Sequence, residues 1–359
     1  MREGEESHPP GAVVRYFQLL MLMPFVAGCG QVFQARVGLD VPPLRVGVDL
    51  PPNSNQSPVT EMPLEGFAGV EKGPKVAVID VEGILLNTNY TGPYATGDNP
   101  IDVFKEKLDA ARSPSIAAVV LRINSPGGSV TASEVMWSEL SRFKRETGKP
   151  VVACLMDQGC GGAYYIATAC DKILAHPTTV VGGIGVILNL YNFQGTLNLA
   201  KVENLSIKAK DSPKIDLDYR LGVLNEDDKE MLIGMADDLH SQFKKVVKSS
   251  RPGLKSEATL FDGRVFLAGQ AKERGLVDEV GHLPDAVNLA RSLGNCPGTG
   301  VVMLHRTNDQ ARTAYATTPN TPLQVGLLGV SVPSGDRNKL PTFLYLWQPD
   351  PSMERLAGK

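Results

Sequence analysis

Three apolar, β-branched runs of this sequence alternate with two segments of helical spacing. In chain order they are Lys75–Val81, Ile101–Arg112, Ala117–Ile123, Thr131–Thr147 and Pro150–Leu155. An alternation of strand, helix, strand, helix and strand is typical of a parallel sheet with right-handed crossovers. We therefore predict an α/β fold with helices flanking a parallel sheet. A functional site is expected at the carboxyl ends of the strands.

Glycine-rich segments follow the second and third of the apolar runs. The first is Asn124–Val130, with the order Asn-Ser-Pro-Gly-Gly-Ser-Val, and the second is Gly159–Gly162. A proline followed by two glycines is not expected to continue a strand, and the glycines allow a turn with exposed N–H groups. Such a turn is either a plain strand-to-helix connection or a loop that binds developing negative charge. Because both segments follow strands, they are expected to line one cleft.

Further elements are predicted downstream. Asn225 is a candidate N-cap for a long helix, whose first turn holds three acidic residues that suit the positive end of the helix dipole. The other predicted elements are a helix over Ala163–Cys170, strands over Lys172–Ala175 and Val180–Ile187, a turn into a strand at Asp262–Phe266, and helices over Ala268–Arg274 and Pro284–Leu293.

The N-terminal segment indicates export. Arg15 precedes the apolar run Tyr16–Ala27, which is short for a membrane span and is typical of a signal peptide. Small residues then lead into Cys29, and this arrangement resembles the lipobox of bacterial lipoproteins, in which the cysteine carries the lipid. An uncleaved anchor or a chance cysteine are the alternatives. The predicted location is a bacterial membrane, with the protein lipid-anchored and facing the periplasm.

Composition divides the rest of the chain. Residues 30–73 are rich in proline and lack periodicity, which predicts a tether after the signal peptide of residues 1–29. Residues 74–295 hold the predicted elements and form the predicted domain. Residues 296–359 are expected to be a poorly ordered tail, although the apolar and aromatic segment Leu340–Trp347 favours a docking segment or an added strand at a subunit edge.

Charge and spacing argue against several kinds of partner. The 359 residues include 36 basic and 39 acidic side chains, a net charge of -3, and no dense basic run, so nucleic acid is not an expected partner. The five histidines are scattered and no pair of cysteines has zinc-ligand spacing, so we expect no metal and no cofactor. Besides Cys29, the cysteines number four, which is compatible with disulfides in an exported protein; they are Cys154, Cys160, Cys170 and Cys296.

Five ordered blocks of the sequence resemble the signal peptide peptidase A (SppA) family of serine peptidases. They are Leu121–Glu134, Lys149–Ala153, Tyr164–Ala167, Gly183–Val186, and Asp262–Phe266 taken together with Gly275–Gly281. The resemblance covers about residues 76–293. It implies the ClpP/crotonase fold, built from repeated β-β-α units, and peptides as substrates or ligands. Because the chain carries one copy of the blocks, it also implies a homo-oligomer.

The same resemblance assigns site residues. The family uses a serine nucleophile, a lysine base and a Pro-Gly-Gly loop, which here makes Gly127 and Gly128 the candidate oxyanion donors. Alignment without gaps puts Gly161 at the serine position, whereas a slip of one residue puts Cys160 there as a thiol nucleophile. For the lysine, Lys214 is the candidate base if the loop carries one inserted residue, and Lys210 is a weaker candidate.

Three functions remain open from the sequence. The first is an exported, membrane-anchored peptidase that cleaves signal-peptide remnants or other short peptides by acyl transfer, with Cys160 or an unrecognised serine as the nucleophile and Lys214 as the base. The second is a non-catalytic relative that keeps the peptide groove and acts by binding or as a scaffold. The third is an enzyme of the crotonase type acting on acyl thioesters, because that fold also uses backbone oxyanion donors.

Overall fold

The computed structural model describes residues 58–67, 73–88, 98–190, 194–199, 201, 209–211, 224–255, 258–306 and 343–347. Its strands are β1 (Val59–Pro63), β2 (Lys75–Leu85), β3 (Ile116–Ser129), β4 (Val151–Cys160), β5 (Lys172–Ala175), β6 (Val180–Gly182), β7 (Val265–Leu267), β8 (Glu279–Val280), β9 (Val301–Arg306) and β10 (Leu344–Leu346). Its helices are α1 (Pro100–Ala110), α2 (Val130–Thr147), α3 (Gly162–Ala167), α4 (Gln194–Leu199), α5 (Glu226–Ser250), α6 (Ala268–Glu273) and α7 (Leu283–Leu293), with a 3₁₀ turn at Ala258–Phe261.

The strands of the described residues join in one mixed sheet. Its main path runs β1-β9-β2-β3-β4-β5-β8, and every pair along this path is parallel except β1 with β9. Strand β6 pairs with β4 and with β7, and β10 pairs with β3. The predicted α/β class is therefore confirmed, and the sheet is mixed because antiparallel partners attach to the parallel set.

The sheet carries an apolar layer on each face. Alternate residues of β2 lie on opposite faces of the sheet. Ala77 and Ile79 belong to an apolar cluster that includes helices α1 and α2, whereas Val76 and Val78 belong to one that includes α7. This is the period of two that a strand covered on both faces requires. The core thus fixes β2, β3 and β4 side by side and brings their carboxyl ends together.

Local signals set the helix boundaries as the sequence predicts. Gly148 ends α2 in the left-handed conformation, with φ 67°, and its N–H donates to the Lys144 carbonyl. The Asn225 side chain caps α5 by accepting from the Asp228 N–H at 2.8 Å. Both ends depend on residues within one turn, so a sequence pattern suffices to locate them.

The prediction of a turn at Asn124–Val130 is wrong. Strand β3 continues to Ser129, because Ile84 and Leu85 of β2 pair with Gly127 and Gly128 on one side and β10 pairs with Gly127–Ser129 on the other. The pairing with β2 shifts register between Glu82 and Ile84, which pair with Asn124 and Gly127, so Pro126 takes no paired residue of β2. The partners that hold this segment extended are remote in sequence, so its own composition does not reveal them.

The sheet also extends beyond residues 74–295. Strand β1 lies in the stretch predicted as a tether, and β9 and β10 lie in the stretch predicted as a tail. All six residues of β9 are buried, because β9 lies between β1 and β2. The predicted signal peptide, Cys29 and Lys214 lie outside the described residues. Within the part of the chain that the structure describes, no helix combines the length and the apolar character needed to cross a bilayer.

Candidate functional site

The two glycine-rich segments meet at the carboxyl ends of β3 and β4. Ser125 pairs with Gly159, and a Cβ added to Gly127 would stand 2.7 Å from the Gly162 nitrogen and 3.1 Å from the Cys160 oxygen. The two segments therefore line one cleft, as the strand pattern predicts. They approach so closely that neither backbone leaves room for a side chain between them.

Gly127 and Gly128 are both places where only glycine fits. Gly127 has φ 106°, and its N–H donates to the Ser125 hydroxyl at 3.1 Å. A Cβ on Gly128 would stand 2.0 Å from the Leu85 oxygen of β2. The Gly127 N–H is thus held by Ser125, while Gly128 faces the partner strand β10, with Tyr345 as its paired residue.

Gly161 stands at the head of α3 with φ 52° and ψ -123°, a conformation that side chains disfavour. Its N–H donates to the Gly182 carbonyl at 2.9 Å, which fixes it against β6. A Cβ here would stand 2.2 Å from the oxygen and 2.7 Å from the carbonyl carbon of Tyr345. The position that the resemblance assigns to the nucleophile therefore points at a peptide carbonyl and carries no side chain.

The Cys160 side chain is buried below the cleft. Its exposed fraction is 0%, and its thiol lies 3.3 Å from the Val180 carbonyl, to which it donates. Burial raises the pKa of the thiol to about 12, and a hydrogen bond to the backbone of Gly159 offsets only part of that rise. A thiol with this pKa is a poor nucleophile at neutral pH, so the described surroundings do not activate Cys160.

Lys210, the weaker candidate for the base, is exposed and lies in the short described stretch 209–211.

A titratable group that the sequence did not single out borders the cleft wall. His240 of α5 lies 3.2 Å from the Ile184 carbonyl, and burial first, then the charge of Lys244, lower its pKa. His240 is therefore mostly neutral at pH 7. A lone histidine in a helix gives no sequence signal for this position.

Strand β10 occupies the cleft. On one edge the Val130 N–H donates to the Phe343 carbonyl at 3.1 Å, and the Trp347 N–H donates to the Pro126 carbonyl at 3.0 Å. On the other edge Ile187 and Leu344 exchange two backbone hydrogen bonds of 3.0 and 2.9 Å. The segment 343–347 is thus an extended chain bonded on both sides, at the mouth formed by β3 and α3.

Tyr345 anchors this strand. Its side chain is 1% exposed, its ring centroid is 5.5 Å from that of Tyr165 and 4.6 Å from that of Phe243, and its hydroxyl donates to the Leu239 carbonyl at 2.7 Å. Burial raises the pKa of the phenol, which therefore stays protonated as a donor. The cleft includes an aromatic pocket with a backbone acceptor at its end.

Metal-ligating residues do not cluster in the described ranges. Among those residues no group of three or more histidine, cysteine, aspartate or glutamate side chains is placed to hold a metal ion. The fold does bring together His176 and His282, which are distant in sequence, with ring centroids 4.6 Å apart. All four described cysteines are free thiols, so the described part of the chain contains no disulfide.

Comparison with known proteins gives a consistent family. A family model described as Peptidase family S49 matches residues 143–296. Protease 4 of Haemophilus influenzae is 30% identical over 222 residues, which cover 62% of this chain and 35% of that protein. A putative protease of Synechocystis sp. is 31% identical over 210 residues, which cover 58% of this chain and 74% of that protein.

The chain also aligns with solved structures, and it spans only part of some of its relatives. A mutant of ClpP1 from Listeria monocytogenes aligns with a TM-score of 0.38 and 13% sequence identity, covering 58% of this chain and 94% of that one. This chain spans 35% of the length of Protease 4 from Haemophilus influenzae and also of Protease 4 from Salmonella typhi.

Proposed function

This chain belongs to peptidase family S49, the SppA-type proteases, and from that premise we propose that its cleft binds extended peptide segments and holds them without cleaving them. The single observation that carries the proposal is the backbone at Gly161. The position that should bear the nucleophile has no side chain, and a peptide carbonyl lies against it at a distance that excludes one. The cleft can therefore bind a peptide backbone although residue 161 offers no nucleophile to cleave it.

The binding half of the site is complete. In an antiparallel ladder the hydrogen-bonded pairs alternate, and the bonded pairs at Val130 with Phe343 and at Pro126 with Trp347 bracket Gly128 with Tyr345. The Gly128 N–H is therefore directed at the Tyr345 carbonyl, as an oxyanion donor would be at a reacting carbonyl. This geometry supports recognition of a peptide backbone whether or not a reaction follows.

The residues that alignment assigns to the nucleophile do not provide one. Catalysis by acyl transfer requires a nucleophile with an adjacent base. Gly161 supplies no nucleophile, and the Cys160 thiol is buried, donates to the Val180 carbonyl and stays neutral at pH 7. The proposal is therefore that the chain retains the peptide groove of its family and works by binding.

The proposal includes a location and an assembly. Cys29 after an apolar run supports a lipid anchor in a bacterial membrane, with the protein on the periplasmic side, and the part of the predicted tether 30–73 that precedes β1 then links the anchor to the sheet. One copy of the family blocks in the chain supports a homo-oligomer, in which several grooves face the same space. Peptides released near that membrane, such as remnants of signal peptides, are the proposed ligands.

A second candidate is an active peptidase of the same specificity. Membership of a protease family and the intact Gly127–Gly128 segment favour it. In this version Lys214 is the base, and the nucleophile is Cys160 after a rearrangement or a serine outside the residues aligned with the family motif. Signal-peptide remnants and other short peptides are the substrates.

One set of assays separates the two candidates. Wild type, Cys160→Ser and Lys214→Ala are incubated with unfolded and signal-peptide substrates, and labelling by a fluorophosphonate and by iodoacetamide is measured in parallel. We expect no cleavage by any of the three, no fluorophosphonate adduct, and peptide binding that both variants retain. Cleavage by wild type that either substitution abolishes would overturn the non-catalytic proposal and establish the second candidate.

A further inference from the structure

The segment Phe343–Trp347 lies in the cleft as a bound peptide would. It forms backbone hydrogen bonds on both edges, with Pro126 and Val130 on one side and Ile187 on the other. Addition of an extended segment to an open strand edge is a common mode of peptide recognition, in which backbone bonds give affinity and side-chain pockets give specificity. Here the segment is part of the same chain, and residues 307–342 separate it from β9.

The Tyr345 carbonyl lies where the reacting carbonyl of a substrate peptide would lie. Cβ atoms added to Gly127 and to Gly161 would stand 2.0 and 2.2 Å from its oxygen, and the one on Gly161 would stand 2.7 Å from its carbon. A nucleophile carried on that Cβ would be within the distance at which reacting atoms meet. The bond between Tyr345 and Leu346 therefore lies where a scissile bond would lie, beside a glycine that carries no nucleophile.

A single side chain makes most of the specific contact. Of the five residues in the segment only Tyr345 is buried, and the other four are partly exposed. The pocket around Tyr345 combines ring contacts from Tyr165 and Phe243 with the Leu239 carbonyl, which accepts the hydroxyl proton. The groove thus selects for an extended peptide with a tyrosine, or a similar large aromatic residue, at this one position.

We infer that the C-terminal strand is an internal ligand of the peptide groove, and that an external peptide with a large aromatic residue binds by displacing it. This inference rests on the proposed function, since the groove must accept peptides. It adds the identity of the competitor and the side chain that the pocket selects. An internal competitor acts at the high effective concentration of a tethered segment, so it lowers the apparent affinity for external peptides until it is released.

The test uses the full-length chain and a labelled peptide with the sequence of residues 341–348, Pro-Thr-Phe-Leu-Tyr-Leu-Trp-Gln. Binding is followed by fluorescence anisotropy for wild type and for Tyr345→Ala, which weakens the internal strand but leaves the pocket. The labelled peptide should bind Tyr345→Ala roughly tenfold more tightly than wild type or more, because the internal competitor has lost its anchor. The control variant Tyr315→Ala, the same change elsewhere in the tail, should bind like wild type. A peptide with alanine in place of its tyrosine should not bind.

A disulfide that holds the strand in the cleft tests the same inference without requiring that Tyr345→Ala fold. Ile187 and Leu344 are directly paired across the groove and exchange hydrogen bonds, a geometry within reach of a disulfide. In the double variant Ile187→Cys, Leu344→Cys, oxidation should abolish peptide binding, and a reductant should restore it to the level of wild type.

Each outcome has a distinct meaning. Equal binding to the oxidised and reduced lock, or no gain in Tyr345→Ala, would overturn the displacement of the internal strand while leaving peptide binding as a function. Absence of peptide binding in every variant, including the reduced lock and Tyr345→Ala, would overturn the proposed function and this inference together.

Discussion

The substitution Gly161→Ser, which restores the residue type that the family resemblance assigns to this position, should release the C-terminal strand. The new Cβ would stand 2.2 Å from the Tyr345 oxygen, 2.7 Å from its carbonyl carbon and 3.0 Å from the Leu346 nitrogen. All three atoms belong to the backbone of the strand, so no side-chain rotation relieves the contact. Either the strand leaves the cleft or the backbone of α3 shifts.

The magnitudes indicate that the strand leaves. Burial of the Tyr345 side chain contributes about 2 kcal/mol, and each of the four flanking backbone hydrogen bonds contributes about 1 kcal/mol net. Ordering the five residues of the segment costs at least about 1 kcal/mol for each residue, so the net stability of the strand is on the order of 1 kcal/mol, close to the ~1.4 kcal/mol that a tenfold competition requires. The strand is therefore weakly held, whereas α3 is packed in the core with all six of its residues buried.

The strain at the substituted residue remains after the strand is released. A side chain at φ 52° and ψ -123° costs roughly 1–3 kcal/mol, and this range is the expected loss in the free energy of unfolding. Urea denaturation followed by circular dichroism measures that loss. Amide hydrogen exchange at Leu344 and Trp347, whose N–H groups donate to the Ile187 and Pro126 carbonyls, measures release of the strand, and both amides should exchange at nearly the rate of an unfolded segment.

Gly148→Ser is the matched control. Gly148 also has a positive φ, 67°, but nothing lies within 4 Å of a Cβ added there, so the control carries backbone strain without a collision. It should lose roughly 1 kcal/mol of stability and leave exchange at Leu344 unchanged. If Gly161→Ser instead keeps the Leu344 and Trp347 amides as protected as in wild type, with no greater loss of stability than the control, the placement of the Tyr345 carbonyl against residue 161 is wrong.

Three polar groups that the fold removes wholly or partly from water give the remaining predictions. Iodoacetamide at pH 7.5 should leave Cys160 unmodified in the folded protein and alkylate it in urea, as read by mass spectrometry, because burial raises the pKa of the thiol to about 12; modification at native rates would contradict this. Tyr164→Phe should reduce the free energy of unfolding by roughly 1–2 kcal/mol, because the buried Leu276 carbonyl loses its 2.7 Å hydrogen bond, and a urea midpoint equal to that of wild type would refute it. Burial first, and then the Asp80 carboxylate, raise the pKa of Glu82 from 4.5 to about 7. The folded state therefore keeps a proton that the unfolded state releases, so this group lowers stability as pH rises from about 4.5 to about 7. Glu82→Gln should flatten that slope in thermal unfolding at pH 5 and 8, and an unchanged slope would show that Glu82 is not its source.

Much of the framework follows from local sequence. The boundaries of α2 and α5 depend on Gly148 and Asn225, whose effects reach no further than one helical turn. The strand Lys172–Ala175 is predicted at its observed bounds, because it is apolar, bounded by breaks and buried in the sheet. The convergence of the Asn124–Val130 and Gly159–Gly162 segments follows from the rule that parallel strands end at one edge.

The site itself was predicted only in part. The glycines at 127, 128 and 161 marked the cleft, but each is required by a different neighbour. A Cβ on Gly128 would collide with the Leu85 carbonyl of β2, whereas a Cβ on Gly127 or Gly161 would collide with the Tyr345 carbonyl of β10. The segment Leu340–Trp347 was predicted as a docking segment or an added strand at a subunit edge. Its described part is an added strand, and its partner is β3 of the same chain.

The sequence by itself determined the α/β class, the order of the helices and strands between Lys75 and Ala175, the family, and the absence of a serine at residue 161, because each of these depends on local spacing or on residue type. Only the tertiary structure decided what lies against Gly161. The contact between Gly161 and Tyr345 joins residues that are far apart in the chain, and the path between them has no periodic pattern that predicts its course. Pairing of strand edges and the approach of one backbone to another depend on the assembled sheet, so the occupant of the cleft was visible only after β2, β3 and β10 had been placed.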